Sequence, residues 1–345
     1  MRLYYESGYL NMRGILDEGY PFNIIVGGRG IGKSYDALRT SKEDYDNRGD
    51  RFLLLRRTQN EADLISKPQF SPFKPINDDL GCNVQVESIS MYNSQFYEAV
   101  GDEKNIIGYT GALSTIAKMR GFDASDVKRI IYDEFIPEKH VPLLKNEAEA
   151  LFNAYETINR NRELKGLPPV QLVLLANSND ITNPVFQYLN LVRRADKMRK
   201  GNTDRWVSEA RGIQLIFVNH SPISKRKAST ALYKLTEGST FADMALENSF
   251  NVDRSHVRPR PLNEYIPVCS IGELCLYRHK TETRLYATTH ISGVFNRKFS
   301  IQDTDRLHYQ RVYRSHWDMY VSNKIDFEDV LSETLFVKYW ESVTL

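Results

Sequence analysis

Residues Gly27-Gly28-Arg29-Gly30-Ile31-Gly32-Lys33-Ser34 read G-x-x-x-x-G-K-S and directly follow the apolar run Phe22-Asn23-Ile24-Ile25-Val26. The residues after the motif, Tyr35 to Arg39, are compatible with a helix. The strand–loop–helix context that a phosphate-binding loop requires is therefore present. Glycines let the backbone curl around an anion with its N–H groups inward, at the positive end of a helix dipole. On this reading Gly27, Gly28, Arg29, Gly30, Ile31, Gly32, Lys33, Ser34 and Tyr35 form a nucleotide cradle. Lys33 reaches the β- and γ-phosphates, and the Ser34 hydroxyl holds Mg²⁺. The competing reading, a chance Gly-rich turn, explains neither the preceding strand nor the Lys-Ser pair. The expectation is a protein that binds a nucleoside triphosphate.

A second run, Val127-Lys128-Arg129-Ile130-Ile131-Tyr132-Asp133-Glu134, is an apolar strand ending in adjacent carboxylates. Asp133 is placed to enter the Mg²⁺ shell, and Glu134 to orient and deprotonate a water in line with the γ-phosphate. A helix cap or surface turn is the structural alternative for this pair. Phe52–Leu55 falls between the loop strand and the acid strand in sequence. We therefore expect a further strand between those two in space, which marks the additional-strand branch of phosphate-loop ATPases. Gln171 to Ala176 reads as a fourth strand, and Asn177 at its tip would face the γ-phosphate unless it is a plain turn residue. Hydrolysis also calls for positive charge against the transition state. Arg160 and Arg162 close the helical segment Val141 to Asn159, where arginines also suit the negative end of the helix dipole. Spacing alone leaves those two roles open.

The chain has 345 residues, enough for two domains at ~100–200 residues each. Hydrophobic residues at 41% and charged at 26% are ordinary for a globular protein, and no apolar run reaches the ~20 residues of a membrane span. No signal peptide or membrane partner is expected, and Cys82, Cys269 and Cys275 read as free thiols in a reducing cytoplasm. The net charge of +2 hides an asymmetry. Arg254 to Arg314 holds eleven Lys/Arg against five Asp/Glu, whereas Ser315 to the end holds two against six. Such a block either meets a polyanion or is simply a solvated surface. Alternating strands and helices fill the first part of the chain, with short strands over about 82–112. The expected division is an ATPase domain over 1–198, a linker with a short helix over 199–235, and a smaller domain over 236–345. The last stretch, Phe327 to Trp340, reads as a helix.

Together these residues resemble a known family. The loop from Asn23 to Tyr35, with its Arg-Gly-Ile-Gly-Lys-Ser-Tyr core, is similar to that of the φ29-type phage DNA-packaging ATPases. Phe52 to Arg57 resembles their second strand, and Ile131 to Ile136 their acid strand. Arg160-Asn161-Arg162-Glu163, Asn177 and Asn183-Pro184 match as well; Glu247-Asn248-Ser249-Phe250 matches more weakly. The resemblance covers the first ~195 residues well and the remainder loosely. It implies an α/β additional-strand ATPase domain with a parallel sheet, followed by an α+β ribonuclease-H-like domain that has lost its metal-binding acids. It also implies a ring of five copies at the portal vertex of a procapsid in the host cytoplasm, pumping double-stranded DNA inward on ATP and Mg²⁺. A structural RNA is a further partner of such a ring.

In that setting Arg160 acts in trans on the neighbour's nucleotide, and Arg120 falls where the family places a basic residue at the subunit junction. Arg162 joins the same nucleotide-contacting set. Gln59 stands where another family pattern carries a lysine. The second domain offers Tyr286, Ala287 and Thr288 where a nuclease needs a carboxylate, and Glu273 and Glu282 do not make a two-metal site. DNA cleavage is therefore not expected. Arg258, Arg260, Arg278, Lys280, Arg297 and Lys298 are the candidate contacts to the DNA backbone. The alternatives are a terminase-like motor with an active nuclease and a non-motor DNA-binding scaffold with a vestigial nucleotide site. Tyr4, Tyr5 and Tyr9 are weak candidates to stack on the base.

Overall fold

In a computed structural model, residues 2–119, 124–137, 141, 144–177, 180–218, 221–239, 242, 246 and 255–340 are described. The chain divides into two compact units, Met1–Tyr188 with Met198–Phe250, and Leu189–Lys197 with Asn251–Leu345.

The first unit is built on nine strands: β1 (Phe22–Gly27), β2 (Arg51–Arg56), β3 (Gln85–Ser88), β4 (Asn93–Val100), β5 (Glu103–Ala112), β6 (Val127–Asp133), β7 (Gln171–Ala176), β8 (Arg205–Ser208) and β9 (Ile213–Val218). Their order in space is β3-β4-β5-β2-β6-β7-β1-β9-β8. The six central strands run parallel, from β5 through β9, with Ile24 of β1 opposite Leu174 of β7 and Leu215 of β9. Ile24, Ile25, Ile131, Val173, Leu175 and Ile216 are all buried, as expected of parallel strands covered on both faces. β3 and β4 extend one edge and β8 the other, each by antiparallel pairing.

Two sequence expectations change here. A strand does lie between the loop strand and the acid strand, but it is β7; β2 sits on the far side of β6. Order along the chain does not fix order in space when every connection is a crossover. The boundary expected at 198 also moves. Arg205–Ser208 and Ile213–Val218, assigned to a linker by their charged surroundings, join the first sheet, and β9 is buried at all six positions beside β1. The linker helix is real but split into Pro222–Ala228 and Ala231–Leu235.

Behind the acid strand, Arg57 and Glu147 form a buried bidentate pair at 2.9 and 3.1 Å, and the Tyr132 hydroxyl also bonds Glu147. Charge-assisted bonds of this geometry compensate desolvation only when both partners are held. Here they tie the end of β2 to the start of the Glu147–Asn159 helix.

The second unit carries five strands, β10 (Tyr265–Ile271), β11 (Leu274–His279), β12 (Leu285–Thr288), β13 (Lys298–Phe299) and β14 (Ile325–Phe327), in the order β13-β10-β11-β12-β14. β10 to β12 form an antiparallel meander; β13 and β14 add to its edges in parallel. Helices Asp303–Val312, Arg314–Val321 and Val330–Trp340 supply an aromatic core of Tyr309, Trp317, Phe336 and Trp340 packed on Phe327.

Candidate functional site

The parallel sheet brings three chain segments together at the C-terminal ends of neighbouring strands. The loop after β1 leads into the Lys33–Arg48 helix, Asp133 ends β6, and Asn177 follows β7 between them. They line a cleft of about 410 Å³ together with Arg29, Ser34, Tyr35 and Glu134. The loop conformation depends on glycine. Gly30 and Gly32 have φ of +67° and +95°, and a Cβ on Gly27 would lie 2.8 Å from Ile31 Cδ1 and Val218 Cβ. Ile31 itself is buried in the core, and the Tyr35 hydroxyl donates to Asp79.

Lys33 is buried and donates to the carbonyls of Gly27 and Gly28, both at 2.8 Å, and to Asn177 Oδ1 at 3.1 Å. Burial pushes its pKa down to about 7, an effect that the nearby Asp133 carboxylate opposes and the Lys227 ammonium reinforces. Ser34 Oγ donates to Asp133 Oδ1 at 2.8 Å. A hydroxyl and a carboxylate meeting at this point are hard oxygen donors of the kind Mg²⁺ takes. Among the described residues, no group of three or more His, Cys, Asp or Glu could hold a metal on its own. A cation here would take its other ligands from phosphate and water.

Arg56, at the end of β2, was not singled out from the sequence. Its Nη1 lies 2.6 Å from Asp133 Oδ2 and its Nη2 3.3 Å from Glu134 Oε2. Glu134 has φ of +59°, a conformation that non-glycine residues seldom adopt and that costs on the order of 1 kcal/mol. Lys227, also missed, donates from Nζ to the Arg29 carbonyl of the loop. Both belong to basic runs, Arg56-Arg57 and Lys225-Arg226-Lys227, read from the sequence only as parts of the second strand and of the linker.

Other candidates lie elsewhere. Arg162 does not reach this cleft. It is buried, donates from Nε to the Pro168 carbonyl at 2.9 Å, and lines a second cavity of about 280 Å³. That cavity is bounded by Arg129 and Gln171 from β6 and β7, and Gln171 opens β7 whereas Asn177 follows its end. At ~3.3 Å per residue, the length of that strand, roughly 20 Å, separates the two ends. Arg160 caps the same helix end in the left-handed region, at φ of +44°, and is exposed. Arg120 and Glu247-Asn248-Ser249-Phe250 lie outside the described residues. Of the three tyrosines, Tyr5 donates to Asp36, Tyr4 forms a bridge with Leu10, and Tyr9 packs against Gly32 beside the loop.

In the second unit the six basic candidates separate into two kinds. Arg278, Lys280, Arg297 and Lys298 are exposed. Arg258 and Arg260 instead direct their Nε atoms to the fully buried Asp326, at 3.3 and 2.8 Å, and Arg284 Nη1 joins at 3.0 Å. Asp326 lies in the acidic tail that charge counting set aside. Tyr286, Ala287 and Thr288 are buried in β12; Glu273 is exposed, and the largely exposed Glu282 lies 3.9 Å from Arg284.

Fold and site define a phosphate-loop nucleotide-binding protein with one strand between its loop strand and its acid strand. The chain belongs to the Podovirus DNA encapsidation protein (Gp16) family, which it matches over residues 4–265. It is 26% identical over 253 residues to the DNA packaging protein of Bacillus phage PZA, covering 73% of this chain and 68% of that one. With the DNA packaging protein of Bacillus phage phi29 it shares 25% over 246 residues, covering 71% and 67%. In structure it is similar to a chain of the bacteriophage phi29 viral genome packaging motor assembly. The TM-score is 0.70 at 17% identity, over 98% of this chain and 99% of that one.

Proposed function

We propose that this protein is the ATP-hydrolysing subunit of a motor that drives double-stranded DNA into a preformed viral shell. The observation that carries the reading is the Ser34–Asp133 contact beneath a complete phosphate loop, in a chain of the encapsidation family. Mg²⁺, held here, would supply positive charge against the phosphates. Ser34 and Asp133 hold that cation, the loop amides cradle the phosphates, and Lys33 moves from its carbonyl partners onto them. Glu134 accepts the proton of the attacking water once Arg56 releases it, and Asn177 reports the terminal phosphate from the segment after β7.

In this reading five copies form a ring, as the family resemblance implies, and Arg160 serves the neighbour's site. The second unit is a vestigial, ribonuclease-H-like nuclease domain whose basic residues touch the DNA backbone. The portal of the procapsid and a structural RNA are the partners that would hold the ring. Mixing inactive subunits tests the shared site. Arg160→Ala and Lys33→Ala proteins should each lack DNA-stimulated ATPase activity and partly restore one another when combined. An arginine supplied in trans is worth ~10³–10⁵ in rate, so the restoration is well within detection. Mixtures no more active than either variant would refute the shared site, and an Arg160→Ala protein with full activity would refute the role of that residue.

A further inference from the structure

The helix Pro222–Ala228 reaches the phosphate loop by way of the N-terminal segment. Ser221 Oγ donates to the Gly8 carbonyl at 3.3 Å, and Arg226 Nη1 to the Ser7 carbonyl at 3.4 Å. The fit is close: a Cβ on Gly8 would lie 3.1 Å from the Ile223 amide nitrogen. That segment is in turn fixed to the loop, since Leu10 N donates to the Ile31 carbonyl at 2.9 Å. The helix thereby carries Lys227 to the middle of the loop. Its Nζ donates to the Arg29 carbonyl and lies 3.3 Å from where a Gly30 Cβ would stand.

Two ammonium groups, Lys227 and the buried Lys33, are thus brought to one short loop, near enough for the charge of Lys227 to act against that of Lys33. Like charges at such a site disfavour each other until a negative group enters. The backbone at this part of a phosphate loop cradles the β- and γ-phosphates. A neutral carbonyl is a weaker partner for an ammonium than a phosphate oxygen, which makes a charge-assisted bond. The face of the Tyr233 ring, 5.1 Å from Nζ, steadies the side chain without consuming a donor.

We infer that Lys227 is a second phosphate-contacting cation of this site, one that moves from the Arg29 carbonyl to the terminal phosphates of a bound nucleoside triphosphate. The inference rests on the nucleotide-binding reading above and deepens it. Lys227 distinguishes triphosphate from diphosphate, and it couples that distinction to the helix that carries it.

The test is equilibrium binding of a slowly hydrolysed ATP analogue, ADP and AMP, with Mg²⁺, to the full chain and its Lys227→Met and Lys227→Arg variants. Lys227→Met should weaken the ATP analogue about tenfold or more, as loss of a bond to a charged group does, and ADP less than threefold. Lys227→Arg should keep most of the wild-type preference. An unchanged melting temperature without nucleotide separates this effect from misfolding. A triphosphate-to-diphosphate preference within twofold of wild type in Lys227→Met overturns the inference, as does equal weakening of all three nucleotides. Wild type that binds none of them overturns the nucleotide-binding reading itself.

Discussion

The depressed pKa of Lys33 makes nucleotide affinity depend on pH in a direction fixed by the structure. Without nucleotide the ammonium is buried against carbonyls, and desolvation brings its pKa to about 7, from an ordinary value of 10.5. Bound phosphates place negative charge beside it and raise the pKa again. Affinity is therefore fully present below about pH 7 and is lost as pH rises through the range between the two values. Above the lower pKa each pH unit costs about tenfold in Kd, so Kd should rise about 50-fold between pH 7 and 9. Proton uptake on binding should be about 0.5 at pH 7 and about 0.9 at pH 8. Calorimetric titration with a slowly hydrolysed Mg²⁺-bound analogue, in buffers of different ionisation enthalpy, reads both quantities. Lys33→Arg supplies the control, because a guanidinium stays charged throughout and should flatten the profile even if it binds less tightly. A wild-type Kd that is flat from pH 7 to 9, without proton uptake, would refute the assignment of a buried, half-neutral lysine at the phosphates.

Asp326→Ala should cost about 2–4 kcal/mol in urea denaturation of the second unit, because it strands Arg258, Arg260 and Arg284; their partial exposure keeps the loss below the fully buried limit. An unchanged midpoint would show that the three arginines do not depend on it. His316, buried and held down to about pKa 4 by desolvation, binds its proton less readily folded than unfolded. Stability should therefore fall by up to about 3 kcal/mol as pH drops from 6.5 to 4, and His316→Phe should flatten this part of the profile. Arg162→Ala should lower stability by about 1–2 kcal/mol through the lost bond to Pro168 while changing nucleotide affinity less than twofold. Weakened nucleotide binding at unchanged stability would return Arg162 to the nucleotide site.

How much of this was legible depends on whether a residue's role is set locally. The loop from Gly27 to Ser34 and the Asp133–Glu134 pair were readable because strand, turn and chemistry lie in one short segment each. The place of Asn177 at the cleft was readable because it directly follows the C-terminal end of an apolar strand. Arg56 and Lys227 were not, since what matters is the carboxylate or carbonyl each one meets, and those are 77 and 198 residues away in sequence. Arg162 was misplaced for the same reason. Its spacing from Arg160 suggested a shared job, but the helix ends there with two successive residues in the left-handed region, Arg160 and Asn161. The chain turns, and Arg162 is buried under Pro168 while Arg160 stays exposed. The strands β8 and β9 were hidden by their flanks: the charged run from Arg193 to Lys200 reads as a boundary, and Ile213–Val218 by itself is too short to contradict it.

The placement of β7 between β1 and β6 has an electrostatic consequence that no single motif carries. It sets Asn177 between the loop and the acids, so that Lys33 has an internal acceptor when nucleotide is absent. The same holds around the cleft: Ser34 is engaged by Asp133, Asp133 by both Ser34 and Arg56, and Glu134 by Arg56. The side chains of Lys33, Ser34, Asp133 and Glu134, assigned to phosphate, metal or water, therefore each already have a protein partner. Nucleotide and cation cannot simply occupy this cleft; they must exchange partners with it. Each exchange releases a protein group on another element: Asn177 on the segment after β7, Arg56 at the end of β2, Lys227 on the helix after β9. Binding free energy is thereby converted into changed contacts on three separate segments of the chain, and a ligand shifts a conformation only through such differences in contact.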